Sequence, residues 1–323
     1  MRIRVVTLLI GVALAVAGCN GAATPPPTVT IFPAPVRPAG AQDITTMPEP
    51  PKDDCGDREA SLRPGPLPSP GAMPAGSTMA EIKARGRLIV GVDQSTYYFG
   101  YRDPSSVEIK GFDVDIAREI ARSIFGDPDR IELQVVDALK REDVLESGQV
   151  DLVVRTYSIT CDRKKEVDFS TTYFYANQRI LVAKGSQIHS AADLVGKRVC
   201  AVSGTTSLPR LKAVNPDLTV VGVANWTDCL LMLQQGQVDA ISTDDAVLAG
   251  LAYQDPNMEL VGDSLGIEPY GVGIKKGNDD LVRFVNGVLA QIREDGTWNQ
   301  LYDRWLLTIL GPSPGPPAPR YQD

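Results

Sequence analysis

Leu145-Glu-Ser-Gly-Gln-Val-Asp151 returns further along the chain as Leu233-Gln-Gln-Gly-Gln-Val-Asp239. Each copy reads as the end of a helix, a glycine able to take the left-handed cap conformation, and the start of a strand. Outward from the first copy, β-rich runs at 88–92, 131–136 and 150–154 alternate with helical patterns at 113–124 and 141–147. Ile116, Ile120 and Ile124 share one face of the first of those helices. Around the second copy the same alternation covers 199–202, 207–214, 219–223, 226–235, 238–242 and 246–253, and helical patterns at 279–294 and 297–307 follow. Alternating strands and helices build an α/β layer. Two series that end in a like-built unit predict two lobes with a cleft between them, and ligands in such sheets bind beyond the C-terminal ends of the strands.

The loops at those strand ends carry the chemistry. After 150–154 comes Arg155-Thr-Tyr-Ser-Ile-Thr-Cys-Asp-Arg163, rich in hydroxyls and closed by a guanidinium whose planar fork matches a carboxylate. After 198–202 comes Ser203-Gly-Thr-Thr-Ser207, a glycine turn opening a helix, whose free N–H groups suit an anion. Thr243-Asp244-Asp245 follows 238–242 and either receives a cation or caps the next helix. Asp93-Gln-Ser-Thr-Tyr97-Tyr98-Phe99 follows 88–92 and offers an aromatic wall. An arginine and a helix start for an anion, with an aspartate for a cation, describe a site for a zwitterion.

Five stretches, in this order, carry a resemblance: Gly111-Phe-Asp-Val-Asp115, the segment 156–170 with its Arg-Lys-Lys-x-Val-Asp-Phe-Ser ending, Ser203-Gly-Thr-Thr206, Gly236-Gln-Val-Asp-Ala240 and Tyr270-Gly-Val-Gly-Ile274. The chain resembles the polar amino-acid-binding proteins of ABC importers, within them most the glutamine/glutamate-binding lipoproteins of actinobacteria. The resemblance implies an α/β, two-lobed, Venus-flytrap fold of type II with two hinge strands. Lobe 1 would hold residues 81–177 and 273–310, lobe 2 residues 184–269, and the hinge strands 178–183 and 270–274. It further implies that Arg163 and the Thr206 N–H grip an α-carboxylate, and that the Thr156 carbonyl, the Ser158 hydroxyl and Asp244 take the α-ammonium. Tyr98 would wall the ligand. Val202 stands where some glutamine binders have a lysine. Arg141 matches a position that in acidic-amino-acid binders holds an arginine aimed at the side-chain carboxylate. Asp93, whose family counterpart faces the side-chain end, would repel an acid unless Arg141 or Arg102 offsets it. The expected ligands are therefore L-glutamate and L-aspartate first, with L-glutamine and L-asparagine second, and the partner is an ABC permease. A membrane signalling protein that reads the closed form is the alternative partner.

Composition bounds the other possibilities. The 323 residues carry a net charge of −8 and a single histidine, His189. Without a basic run, nucleic acid is excluded as a partner. Without C-x-x-C, H-E-x-x-H or a Walker-type glycine loop, no metal or cofactor is expected. No motif places an acid/base group, so a monomeric binder rather than an enzyme is expected.

The N-terminus indicates the compartment. Two arginines precede an apolar run at 5–17, about 20 Å as a helix and short of a ~30 Å bilayer core, so residues 1–18 read as a signal peptide. The run ends in Val16-Ala17-Gly18-Cys19, which resembles a lipobox. Cys19 would be acylated, in palmitate style, and hold the mature chain on the outer face of the cell membrane. Cys55, Cys161, Cys200 and Cys229 then lie in an oxidising space, where four thiols allow three pairings. A strand position for Cys200 and a place for Cys229 in the helix after the next strand favour joining these two, which leaves Cys55 with Cys161. Residues 19–76 hold 14 of the 25 prolines and residues 311–323 hold 5 more. The first stretch reads as a tether, except that a disulfide at Cys55 would dock its neighbourhood onto the fold, and the second as a tail without secondary structure.

Overall fold

Alternation of side chains along the strands sets the layers of the fold. In Arg198–Val202, Val199 and Ala201 pack into one apolar cluster while Cys200 and Val202 pack into another, and Thr219–Val223 and Ala240–Asp244 repeat the pattern. Period-two burial on both faces requires a sheet covered on both sides. Helices Ser207–Val214, Trp226–Gln234 and Asp245–Gln254 supply the cover. These three strands run parallel at the centre of a six-stranded sheet, ordered Gln42–Ile44, Thr219–Val223, Arg198–Val202, Ala240–Asp244, Phe174–Ala183, Met258–Tyr270. The computed structural model describes residues 36–46, 48–50, 52, 54–215 and 218–322. The expected signal peptide, Cys19 and the first part of the proline-rich stretch lie outside the described residues.

The other lobe is built on a five-stranded sheet, ordered Ile131–Val135, Leu88–Val92, Leu152–Val153, Gly273–Lys275, Val167–Phe169, the first three parallel. Helices Thr78–Arg85, Phe112–Phe125, Asp279–Glu294 and Thr297–Trp305 bury their apolar stripes against one side. Helix Arg141–Glu146 and Tyr157 close the other. Gly111 starts the helix Phe112–Phe125 at φ +138°, and a Cβ there would lie 2.1 Å from the Phe99 carbonyl oxygen, so no other residue fits.

The lobes are joined by two long antiparallel strands, Phe174–Ala183 and Met258–Tyr270, whose pairing shifts register between Gln178 and Ile180. This corrects the expected hinge strands 178–183 and 270–274. Ile180, Leu181 and Val182 are already buried in the core of lobe 2, and Tyr270, Val272 and Ile274 in that of lobe 1. The crossing lies between them, over the irregular stretch where Gln178 pairs with Gly266 and Ile180 with Val261.

Among the described residues the four expected cysteines form two disulfides. Cys200–Cys229 ties a strand of lobe 2 to its covering helix, and Cys55–Cys161 ties the N-terminal segment to lobe 1, each with 5.5 Å between Cα atoms. The terminal segments hold more structure than their proline content foretells. Gln42–Ile44 adds an antiparallel edge strand to Thr219–Val223, and Tyr321–Gln322 pairs with Ser61–Leu62. The tail therefore does carry secondary structure, and Leu62, Leu67 and Met73 pack on the core of lobe 1. Composition hides this because a short segment docking on a preformed surface needs little apolar area of its own, and prolines reduce the entropy it loses.

Candidate functional site

The parallel strands of both lobes end at one cleft. The space left there for the centre of a water molecule is only ≈ 10 Å³, so the lobes are closed. Arg141, Thr156, Ser158, Arg163, Thr206 and Asp244 all line it, joined by Arg155, Trp226 and Thr243. Gly204 is one point of close approach between the lobes. A Cβ at this residue would lie 2.9 Å from Leu139 of the other lobe, and its φ of +78° already favours glycine.

One wall is cationic. The Thr160 hydroxyl accepts from the Arg163 N–H and starts the helix Cys161–Glu166, the helix that Cys55 clamps through Cys161. Arg163 donates to the Ser158 carbonyl (2.7 Å) and, across the cleft, to the Gly204 carbonyl (3.0 Å). Arg141 donates to the Ala138 carbonyl (2.9 Å) and to the same Gly204 carbonyl (2.8 Å). Both guanidinium carbons lie over the ring of Tyr157, at 4.2 Å for Arg141 and 4.9 Å for Arg163, which fixes the two forks side by side. Burial, then Arg163, pushes Arg141 down to about 9, as expected of a charge held in low dielectric beside another of its sign.

The facing wall is anionic. Asp244 ends the strand Ala240–Asp244; its Oδ2 accepts from the Tyr270 hydroxyl, and its buried Oδ1 has no hydrogen-bond partner. Burial, and next the Glu268 carboxylate, raise Asp244 well above the ordinary aspartate range. A cation at Oδ1 would meet both needs at once. Glu268 accepts from the Thr206 hydroxyl (2.9 Å) and from Arg210 (2.6 Å), locking the first turn of helix Ser207–Val214 to a crossing strand. That leaves the helix-start N–H groups beside the cleft for an acceptor.

Four features escape the sequence reading. Tyr98 does not line the cleft: its ring packs with Tyr97, Tyr101 and, from lobe 2, Tyr253. Trp226 lines it instead, and its place just after the strand Thr219–Val223 was the available signal. Asp93 is offset neither by Arg141 nor by Arg102, whose Nε donates to the Gln94 side chain; its ion partner is Arg155, at 3.2 Å with both side chains 3% exposed. Asp113 stands out in the sequence only as part of a motif. Its carboxylate accepts from the Thr156 N–H (2.7 Å) and the Tyr173 hydroxyl (2.8 Å), and so holds Thr156 at a φ of +39°.

The model of the bacterial extracellular solute-binding proteins, family 3, matches residues 88–308, most of the chain and both lobes. The chain belongs to this family. The glutamine-binding protein GlnH of a Bacillus subtilis ABC transporter is 40% identical over 230 residues, 71% of this chain and 84% of the relative. The glutamate-binding protein GluB of Corynebacterium glutamicum is 31% identical over 228 residues, 67% of this chain and 77% of the relative. The crystal structure of the solute receptors for L-cysteine of Neisseria gonorrhoeae superposes with a TM-score of 0.70 at 30% identity, covering 73% of this chain and 96% of that one. The family is one of extracellular solute binders rather than of enzymes. Among the described residues, no helix is long and apolar enough to cross a membrane.

Proposed function

We propose that this family member is a lipid-anchored receptor on the outer face of the cell membrane that closes on one free polar amino acid, acids ahead of amides, and hands it to an ABC permease. The anchor is Cys19. The observation that carries the ligand class is the pairing of opposite charges across one cleft: the Arg163 and Arg141 forks on one wall, and on the other the buried, unpartnered Oδ1 of Asp244. Arg163 and the helix start at Thr206 receive the α-carboxylate; Asp244, Ser158 and the Thr156 carbonyl receive the α-ammonium. Arg141 meets the side chain. The names of the relatives above, glutamine and glutamate binders, agree with this class.

Calorimetric titration with the twenty amino acids tests the reading. Arg163→Ala and Asp244→Ala each leave a buried ligand charge unpaired, a loss of ~2 to 5 kcal/mol, or roughly 30-fold to several thousand-fold in affinity. Binding by both variants within about threefold of wild type would place the ligand elsewhere.

A further inference from the structure

The Asp93 carboxylate is filled by its own surroundings. Oδ1 accepts from the Gln94 N–H (2.7 Å), the Ser95 N–H (3.1 Å) and the Ser95 hydroxyl (3.1 Å). Oδ2 accepts from the Thr96 hydroxyl (2.5 Å) and faces Arg155 Nη2 at 3.2 Å. A carboxylate has about four lone-pair sites, and five donors already claim them. Asp93 is also absent from the residues lining the cleft, whereas Arg155 is among them. Arg155 is 2% exposed, and its Nε is buried without a hydrogen-bond partner. Beyond the Arg163 that faces the α-carboxylate and pairs with Glu142, the cleft wall carries two guanidiniums: Arg155, whose ion partner is the saturated Asp93, and Arg141, which has no ion-pair partner among the described residues.

We propose that Arg155, anchored by Asp93, is a specificity-determining residue that reads a carboxylate at the end of the ligand's side chain together with Arg141. The assignment rests on the zwitterion site proposed above and extends it. A side-chain carboxylate compensates the charge of Arg141, which has no ion-pair partner among the described residues, and accepts from the unpartnered Arg155 Nε. An amide leaves that charge uncompensated and turns its NH2 donors toward two further sets of donors. Asp93 does not accept from the ligand amide, because its oxygens are already occupied. The pair therefore sets glutamate and aspartate above their amides.

Titration of the full chain with L-glutamate and L-glutamine decides it through the ratio of the two affinities, which general loss of packing would not move. In Arg155→Met the glutamate-to-glutamine ratio should fall about tenfold or more. That variant also frees Asp93 to repel an acid, so the double variant Arg155→Met/Asp93→Asn separates the two causes. Removing both buried partners together preserves folding better than removing one. A ratio that stays at least about fivefold below wild type in the double variant supports direct reading by Arg155. A return to the wild-type ratio would mean that Arg155 only neutralises Asp93, and a ratio within about twofold of wild type in Arg155→Met would mean that it reads nothing; either overturns the assignment. Both of those results leave the zwitterion clamp standing. A wild-type protein that binds neither amino acid removes the clamp, and this assignment with it.

Discussion

Thr156 occupies a left-handed backbone conformation that a β-branched residue adopts at a cost of roughly 1 to 2 kcal/mol. The Asp113 carboxylate is what holds it, through the bond to the Thr156 N–H. Asp113 itself is strained electrostatically: burial pushes it up to about 6 from an ordinary value of 3.8. Because the folded state keeps the proton to higher pH than the unfolded chain does, the contribution of this group to stability is fully present below about pH 4 and is lost as pH rises through 6. At neutral pH the ionised carboxylate therefore costs the fold about 3 kcal/mol. Asn in its place accepts from the Thr156 N–H and donates to Tyr173 with no charge to desolvate. The stability of Asp113→Asn relative to wild type should therefore increase by about 2 kcal/mol between pH 4 and pH 7, read from urea unfolding at each pH. Parallel pH profiles for the two proteins would mean that Asp113 is not the carboxyl held up by burial.

Among the elements, the strand Arg198–Val202 and the helix Trp226–Gln234 matter most to the lobe 2 wall, since one leads into the Ser203–Thr206 loop and the other carries Trp226. Cys200 and Cys229 join them, closing a loop of 29 residues. By the chain-entropy relation such a loop contributes about 3 to 4 kcal/mol through the unfolded state. Cys200→Ala/Cys229→Ala should lose about that much in denaturant unfolding while keeping its ligand, because both cysteines are buried away from the cleft. A loss under about 1 kcal/mol would show that strand–helix packing alone fixes this pair.

At the level of the whole chain, the N-terminal segment makes a third connection between the lobes. Gln42–Ile44 extends the sheet of lobe 2, while Cys55 is bonded to the helix of lobe 1 that bears Arg163. Lys212 of lobe 2 also pairs with Glu49. Opening the cleft shifts the two attachment points relative to one another, so the connection between them must stretch or the edge strand must peel away. Deletion of residues 36–46 should shift the ligand-free protein toward the open form by about 1 kcal/mol, roughly fivefold in the closing equilibrium. Distance distributions between labels on the two lobes measure this. Identical distributions with and without the segment would make it a passenger.

What the sequence determined by itself is what depends on short-range spacing. The strand–helix alternation, the two copies of the Gly-Gln-Val-Asp unit and the strand-end loops with Arg163, Thr206 and Asp244 are all local patterns, and local patterns survive without knowing what packs against what. The favoured cysteine pairing rested on the same grammar of neighbouring elements. Tertiary structure alone decided which lobe each crossing residue joined, because Ile180 and Val272 are both aliphatic on paper and differ only in the core that receives them. It also decided that Arg155 is the ion partner of Asp93 and that Thr156 and Tyr173 bond Asp113, since these lie far from them in sequence and are chosen by the geometry of sheet ends. Trp226 lines the cleft where Tyr98 was expected for the same reason: an aromatic ring after a strand can face the cleft or the opposing lobe, and only the closed packing selects between them.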